Sequence, residues 1–391
     1  MAEVVVVAAV RTPFGRLGGA LSGFSAVELG ALVIREVLTR AGVPPGDVDQ
    51  LIMGTVVAAG QGQVPSRQAG LLAGLPPHVP SFTVNKVCAS SLKAVNLAAL
   101  LIRSDEAEVV VAGGMESMSR SPYLLEDHRF GSRLGDRVAV DAMLRDGLIC
   151  PVDGVQMGVH GDQVAAELGV SREQQDAWAI RSQRRYAEAR TGGRLGREIL
   201  PVAGPGGEVG ADEQPRPDTT AEGLAALRPV FGAGGTITAG NAPGVNDGAS
   251  AILLMSEPRA RAAGIEPLGW WVTAADSAAE HPQLASVPAL AVQRALGRTR
   301  GEVTVDRLEV VEINEAFAAV AITSIRMLEV DPERVNVNGG AIAIGHPIGA
   351  TGARILMTLL YELNRRGGGY GAAGICSGMA QGEATLVRVG G

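Results

Sequence analysis

Lysine is almost absent from this chain. Lys86 and Lys93 are its only two, so arginine carries nearly all of the positive charge. Aromatic residues make up 3% of the 391 positions, so a core has to be built from Val, Leu, Ile and Ala. No apolar run is long enough to span a bilayer, which argues against a membrane partner. Only three cysteines occur, Cys88, Cys150 and Cys376. That is too few for a disulfide framework, and their spacing is not that of a metal site. No basic segment precedes the strand pattern at Val4 to Val7, and Val389-Gly390-Gly391 carries no retrieval or peroxisomal signal. A reducing, cytoplasmic setting is expected. A net charge of −7 argues against general nucleic-acid binding. An anionic small ligand would need a local cluster of arginines.

What is abundant is glycine, with 53 residues, so the backbone makes many tight turns and close approaches. The length exceeds one core's worth and implies two or three domains. Val4 to Val10 reads as a buried strand, and Ser25-Ala26-Val27-Glu28 as a capping box opening a helix that Gly42 stops. Leu51 to Val57 and Val109 to Gly114 read as further strands, with a short helix over Ser66 to Ala73 between them. This alternation predicts a mostly parallel sheet covered on both faces. From about Ser117 to Val245 the chain becomes polar and rich in Gly and Pro, with one clear helix from Ser171 to about Arg190. Such a stretch reads as an insertion that carries ligand contacts. Strand patterns resume at Ala251 to Met255, Trp270 to Ala274 and Leu308 to Ile313. They close with Gly371 to Cys376 and Glu383 to Val389. The second half repeats the element order of the first, which points to duplication.

Four positions suggest chemistry. Cys88 stands between a short strand, Phe82 to Val84, and a helix from about Ala89 to Arg103 with Leu92, Val95, Leu97, Leu100 and Leu101 near one face. A thiol there feels unpaired N–H groups and the positive end of the helix dipole, which favour thiolate and a nucleophilic role. Read alone, a free cysteine is more often a small buried hydrophobe. His346 lies in Gly345-His346-Pro347-Ile348-Gly349, ahead of a helix from about Gly349 to Asn364, with Pro347 suited to a first helical turn. The other histidines, His78, His128, His160 and His281, lie in loops or insertions without such framing. Cys376 ends a strand, on the side where open α/β sheets bind ligands, and Gly378 beyond it can offer an unobstructed N–H. Asn314 ends the Leu308–Ile313 strand. Its amide could hold a water or a substrate oxygen, or could cap the helix that follows.

Taken together, these residues resemble those of the thiolase family. The similarity runs through Asn85-Lys86-Val87-Cys88, Ala112 to Met118, Gly240-Asn241-Ala242 with Asn246-Asp247-Gly248, and Asn314-Glu315-Ala316-Phe317. It continues along Asn336 to Ala350 and ends at Cys376-Ser377-Gly378. The resemblance implies a five-layered αβαβα fold of the α/β class. Residues 1–117 plus 246–266 would form one half and 267–391 its duplicate, with an inserted loop domain over 118–245. It implies a reversible condensation of two acetyl-CoA to acetoacetyl-CoA and CoA, with the CoA thioesters as substrates and no cofactor or metal.

By the same resemblance, Cys88 would carry the acyl group and His346 would take its proton. Cys376 would remove the α-proton of the second substrate, and Asn314 would position a water at a first oxyanion site with His346. The N–H groups of Cys88 and Gly378 would form the second. CoA contacts would come from Arg216, Leu227 and Phe231, with Met157, Ala242, Pro243 and Phe317 around the acyl and pantetheine groups. Members assemble as dimers or tetramers, and Met118 to Leu144 resembles the tetramerisation segment.

Pro243 stands where a Ser is common, Gln156 where a His is common, and the loop Ser377 to Gln381 and the region Leu284 to Ala289 also depart from the pattern. These departures bear on acyl-chain preference. A degradative 3-ketoacyl-CoA thiolase with a longer pocket would use the same residues. Cys88, His346 and Asn314 would also suit a papain-like hydrolase, which leaves Cys376 unused. A catalytically silent binding relative would need none of the four.

Overall fold

A computed structural model describes residues 2–204 and 206–390. Met1 and Gly391, the outer ends of the two expected halves, lie outside the described residues. The strands used here are β1 (Val4–Arg11), β2 (Gln50–Gly54), β3 (Ser81–Val84), β4 (Val109–Ser117), β5 (Asn246–Ser256), β6 (Gly269–Ala278), β7 (Leu308–Ile313), β8 (Gly369–Ser377) and β9 (Gln381–Val389). The helices are α1 (Ala26–Ala41), α2 (Pro65–Ala73), α3 (Ser90–Arg103), α4 (Met157–Glu167), α5 (Arg172–Thr191), α6 (Val287–Arg298), α7 (Ala318–Leu328) and α8 (Thr351–Arg366).

The nine strands follow one path in the order β7-β8-β9-β6-β1-β5-β4-β2-β3. Read outward from the β6–β1 junction, each half repeats: β1-β5-β4-β2 on one side, β6-β9-β8-β7 on the other. The pairing sense repeats too. β2–β4 and β7–β8 are parallel, whereas β1–β5, β5–β4, β6–β9 and β8–β9 are antiparallel. The expected mostly parallel sheet is therefore corrected to a mixed one. Hydrophobic alternation carries no strand direction. Here β5 returns after the long insertion and β9 after a tight hairpin, and both run against their neighbours.

Alternation along β4 shows how the layers arise. Val109, Val111 and Met115 face the core beneath α1 and α2, while Val110 and Ala112 face a second core with Leu92, Val95 and Ile102 of α3 and Ile355, Leu356 and Leu359 of α8. A third core packs α6 and α7, through Val292, Leu296 and Ile325, onto Val311, Ile313 and Leu386. Helices, half-sheet, helices, half-sheet and helices give five layers. Of the residues expected on the buried face of α3, Leu100 is exposed. Ala98, Ala99 and Ile102 take its place.

The middle helices touch closely. A Cβ on Gly352 of α8 would stand 2.5 Å from the Leu92 nitrogen of α3, so only glycine fits. Ala353 N–H donates to Ser91 Oγ at 3.0 Å. Side-by-side packing of α3 and α8 brings the turns ahead of both helices to one place.

The insertion holds two long helices rather than one. α5 opens with the expected capping box at Ser171. α4 has no side-chain cap and carries two glycines, so propensity does not announce it. Packing demands those glycines: a Cβ on Gly158 would stand 2.1 Å from the Phe231 ring, and one on Gly161 2.6 Å from Ile237. No helix among the described residues is long and apolar enough to cross a membrane.

Candidate active site

The turn before α3 is held tightly. Val87 adopts φ +45, a left-handed conformation that a β-branched residue takes only under constraint. Asn85 Oδ1 accepts the Val87 N–H at 3.0 Å. Ser90 Oγ accepts from Lys86 N–H at 2.9 Å and donates to the Val87 carbonyl at 2.6 Å. From the other half of the molecule, the Ser377 hydroxyl donates to the Lys86 carbonyl at 2.5 Å. This turn leaves Cys88 two residues ahead of α3, half-buried, with its own N–H and that of Gly378 acting to lower its pKa.

Those N–H groups favour thiolate, as the helix-terminus argument anticipated, but they do not win. Burial pushes the Cys88 thiol up to about 12, and the nearby Glu116 charge adds to the rise. The expected ready-made thiolate is thus corrected to a resting thiol that needs a base.

His346 stands in the same cavity as Cys88. Its backbone N–H donates to Asn246 Oδ1 at 2.8 Å. Gly345, at φ +110, lies against the same amide, where a Cβ would come within 2.8 Å. The Thr351 hydroxyl donates to the Pro347 carbonyl at 2.9 Å, and its oxygen lies 2.7 Å from His346 Nδ1. With its proton committed, that oxygen accepts from Nδ1–H. The tautomer is thereby fixed and Nε2 keeps its lone pair. Burial, helped by the Arg354 charge, pushes His346 down to about 3, so the ring is neutral. Asn314 Nδ2 faces Nε2 at 3.4 Å. Asn314 caps no helix: α7 begins four residues later at Ala318, behind Phe317. Nor is Pro347 a first-turn proline, since α8 starts at Thr351 and Pro347 belongs to the turn before it.

Cys376 closes the set. Asn314 N–H donates to the Gly374 carbonyl at 2.9 Å, which extends the parallel β7–β8 ladder and aligns the carboxyl ends of the two strands. Burial raises the Cys376 thiol well above the ordinary range, and the Cys88 charge raises it further. Two sulfurs and an imidazole therefore share one cavity of about 320 Å³, together with Gly378.

Of the expected substrate contacts, Met157, Phe231, Ala242, Pro243 and Phe317 line this cavity. Phe231 and Phe317 meet edge to face with ring centroids 6.0 Å apart. Arg216 and Leu227 do not line it. Arg216 Nη1 donates to the Ala239 carbonyl at 3.0 Å, and Leu227 packs over Gly240, so both flank the strip leading to Ala242.

Glu116 lies within the Ala112 to Met118 motif, where nothing in the sequence marks what its carboxylate does. Its carboxylate accepts from Val56 N–H at 3.0 Å, Val57 N–H at 3.2 Å and Gly349 N–H at 2.9 Å. It ties the loop after β2 to the histidine loop. Burial pushes it up to about 7, against the pull of those three donors. His160, one of the histidines expected in loops or insertions, lies in the insertion as a buried residue of α4.

Comparison with known proteins agrees with this geometry. Residues 4–258 match the family model described as thiolase, N-terminal domain, and residues 265–389 match thiolase, C-terminal domain. The chain is 46% identical over 394 residues to a Pseudomonas aeruginosa protein named acetyl-CoA acetyltransferase, covering 99% of this chain and 100% of the relative. It is 46% identical over 393 residues to a Cupriavidus necator protein of the same name, with the same coverage. A Staphylococcus aureus protein named probable acetyl-CoA acyltransferase is 44% identical over 392 residues, 99% of each chain.

Proposed function

This chain belongs to the thiolase family, and we propose that it is an acetyl-CoA acetyltransferase, joining two acetyl-CoA reversibly to acetoacetyl-CoA and CoA. The observation that carries this reading is the shared cavity of Cys88, His346 and Cys376, in which one sulfur holds the acyl group and the other handles a carbon-bound proton.

In the first half-reaction His346 Nε2 takes the Cys88 proton, and the thiolate attacks the thioester carbonyl. CoA leaves with the Cys376 proton. Exchanging one thioester for another costs little, so the acetyl-Cys88 intermediate is not the hard step. In the second half-reaction the Cys376 thiolate takes the α-proton of the next acetyl-CoA. A thiol with a raised pKa is the stronger base for that task. The enolate attacks the acetyl group on Cys88, and the expelled Cys88 thiolate recovers its proton from His346. All protons are returned, and the only released product besides acetoacetyl-CoA is CoA.

Preorganised donors carry the remaining barrier. Asn314, with a water and His346, would hold the enolate oxygen. The N–H groups of Cys88 and Gly378 would hold the oxyanion on the acyl group. Such donors each supply roughly 10²–10³ in rate. This chemistry needs neither metal nor cofactor. Arg216 would meet the nucleotide end of CoA as the charged member of that face. The three free thiols suit a cytoplasmic location. A dimer or tetramer is the proposed assembly, supported by Phe130, Leu134 and Val138, three apolar side chains almost wholly open to solvent in the segment 118–144.

The test is thiolysis by CoA of acetoacetyl-CoA against a long-chain 3-oxoacyl-CoA. A higher kcat/KM for acetoacetyl-CoA supports the reading. Clear preference for the long chain replaces it with a degradative thiolase, and release of acetate without condensation replaces it with a hydrolase.

A further inference from the structure

Four side chains that this reaction does not use meet beside the acyl cavity. Between Ile149 and Gln156 the chain doubles back: Cys150 N–H donates to the Val155 carbonyl at 2.8 Å, and Gly154 N–H donates to the Cys150 carbonyl at 2.9 Å. The turn places Asp153 over α4, where Oδ2 stands 2.7 Å from His160 Nε2. His160 is 1% exposed, and its other ring nitrogen, Nδ1, is buried without a hydrogen-bond partner among the described residues. Cys150 is a fully buried free thiol. The donor atoms of Cys150, Asp153 and His160 all lie within 4.8 Å of one another. A fourth group arrives from the connection between β6 and α6. His281 Nε2 is 3.3 Å from the same Asp153 oxygen, and the two imidazole centroids are 5.4 Å apart.

We propose that Cys150, Asp153 and His160, with His281 as fourth ligand, form a structural site for a zinc-class divalent cation. One sulfur, one carboxylate oxygen and two imidazole nitrogens are a borderline-soft, four-membered set, which suits Zn²⁺ and not Mg²⁺ or Ca²⁺. Metal–ligand bonds of about 2.0–2.3 Å place tetrahedral donors roughly 3.3–3.8 Å apart. The Cys150, Asp153 and His160 donors lie within 4.8 Å of one another, and His281 Nε2 is 3.3 Å from the Asp153 oxygen; small side-chain movements, which include opening the 2.7 Å Asp153–His160 contact, bring the set to that range. On binding, the Cys150 thiol releases its proton to solvent, and thiolate plus carboxylate neutralise the ion.

The consequence is mechanical. Gln156 and Met157 lie between Asp153 and His160 in the chain, and Leu284 lies three residues beyond His281. All three line the acyl cavity. An ion here clamps the 150–156 turn, α4 and the β6–α6 connection together, and so fixes that wall of the cavity. The site stands apart from Cys88, so it can fail while the proposed acyl transfer holds, or the reverse.

The experiment is titration of the full chain, first stripped with a chelator, with Co²⁺ and then Zn²⁺. One Co²⁺ per chain is expected, with a near-ultraviolet sulfur-to-cobalt band and visible bands of a tetrahedral ion, all displaced by one Zn²⁺. Cys150→Ser should remove the sulfur band, and Asp153→Asn, at an exposed position, should weaken binding at least tenfold with the fold intact. Zn²⁺ should raise the Tm of the parent but not of Cys150→Ser. Acetylation of Cys88 in each variant checks that it is folded. No stoichiometric binding, or a sulfur band that survives Cys150→Ser, overturns the proposal and leaves a hydrogen-bonded cluster only.

Discussion

At the scale of single residues, the site is governed by burial more than by the helix dipole. The N–H groups aimed at Cys88 lower its pKa, yet burial carries it to about 12. A thiol raised that far is consistent with the proposed role of His346 as base, and its Nδ1–H to Thr351 points a lone pair at the cavity. Removing the Asn314 amide by Asn314→Ala should lower the condensation kcat roughly 10²–10³-fold, with KM little changed. An equal loss in KM alone would assign Asn314 to binding.

The neutral imidazole also links to stability. His346 titrates near 3 in the fold and near 6.5 when unfolded, so between those values the unfolded chain binds more protons. Its contribution is complete above pH 6.5 and is lost as pH falls towards 3. Glu116, raised to about 7, has the opposite slope between about 4.5 and 7. Comparing urea midpoints of the parent and His346→Gln isolates the histidine: the variant should gain relative to the parent as pH falls from 6.5 to 4. A difference independent of pH contradicts the buried neutral ring.

At the scale of elements, the sequence revealed strands and capped helices and concealed what packing alone decides. The capping boxes at Ser25 and Ser171 mark α1 and α5 because the signal is local. α4 escaped because its glycines serve Phe231 and Ile237, not helix propensity. α6, which begins at Val287 without a side-chain cap, escaped for the same want of a local mark. The four reactive positions were legible because each ends a strand or precedes a helix. Their convergence was legible only through family resemblance, since it depends on Gly352 letting α8 lie against α3. Glu116 was invisible as a tie between loops, because its donors are backbone groups. Glu116→Gln replaces one accepting oxygen with a donor that faces amide N–H groups. It should cost about 2–3 kcal/mol in urea unfolding and slow the reaction by displacing the histidine loop. A neutral effect would mean that the tie does not position that loop.

At the scale of the whole molecule, an internal twofold repeat explains the division of labour. Equivalent turns ahead of α3 and α8 carry different groups, Cys88 in one half and His346 in the other, and the carboxyl end of β8 adds Cys376. Phe130, Leu134 and Val138 enter through the proposed assembly instead. On the proposed assembly, replacing all three with Ser should lower the solution mass seen by light scattering while activity per chain persists. An unchanged mass would place the contact elsewhere.

The central claim is that Cys88 carries the acyl group while Cys376 moves the α-proton. It is tested most directly with Cys376→Ala, incubated with acetyl-CoA in D₂O and followed by mass spectrometry. The account predicts an acetyl group on Cys88, because CoA can leave as an ordinary thiolate, with no deuterium entering the acetyl methyl group. Deuterium uptake at the parental rate, or no acetyl group on Cys88, would contradict it.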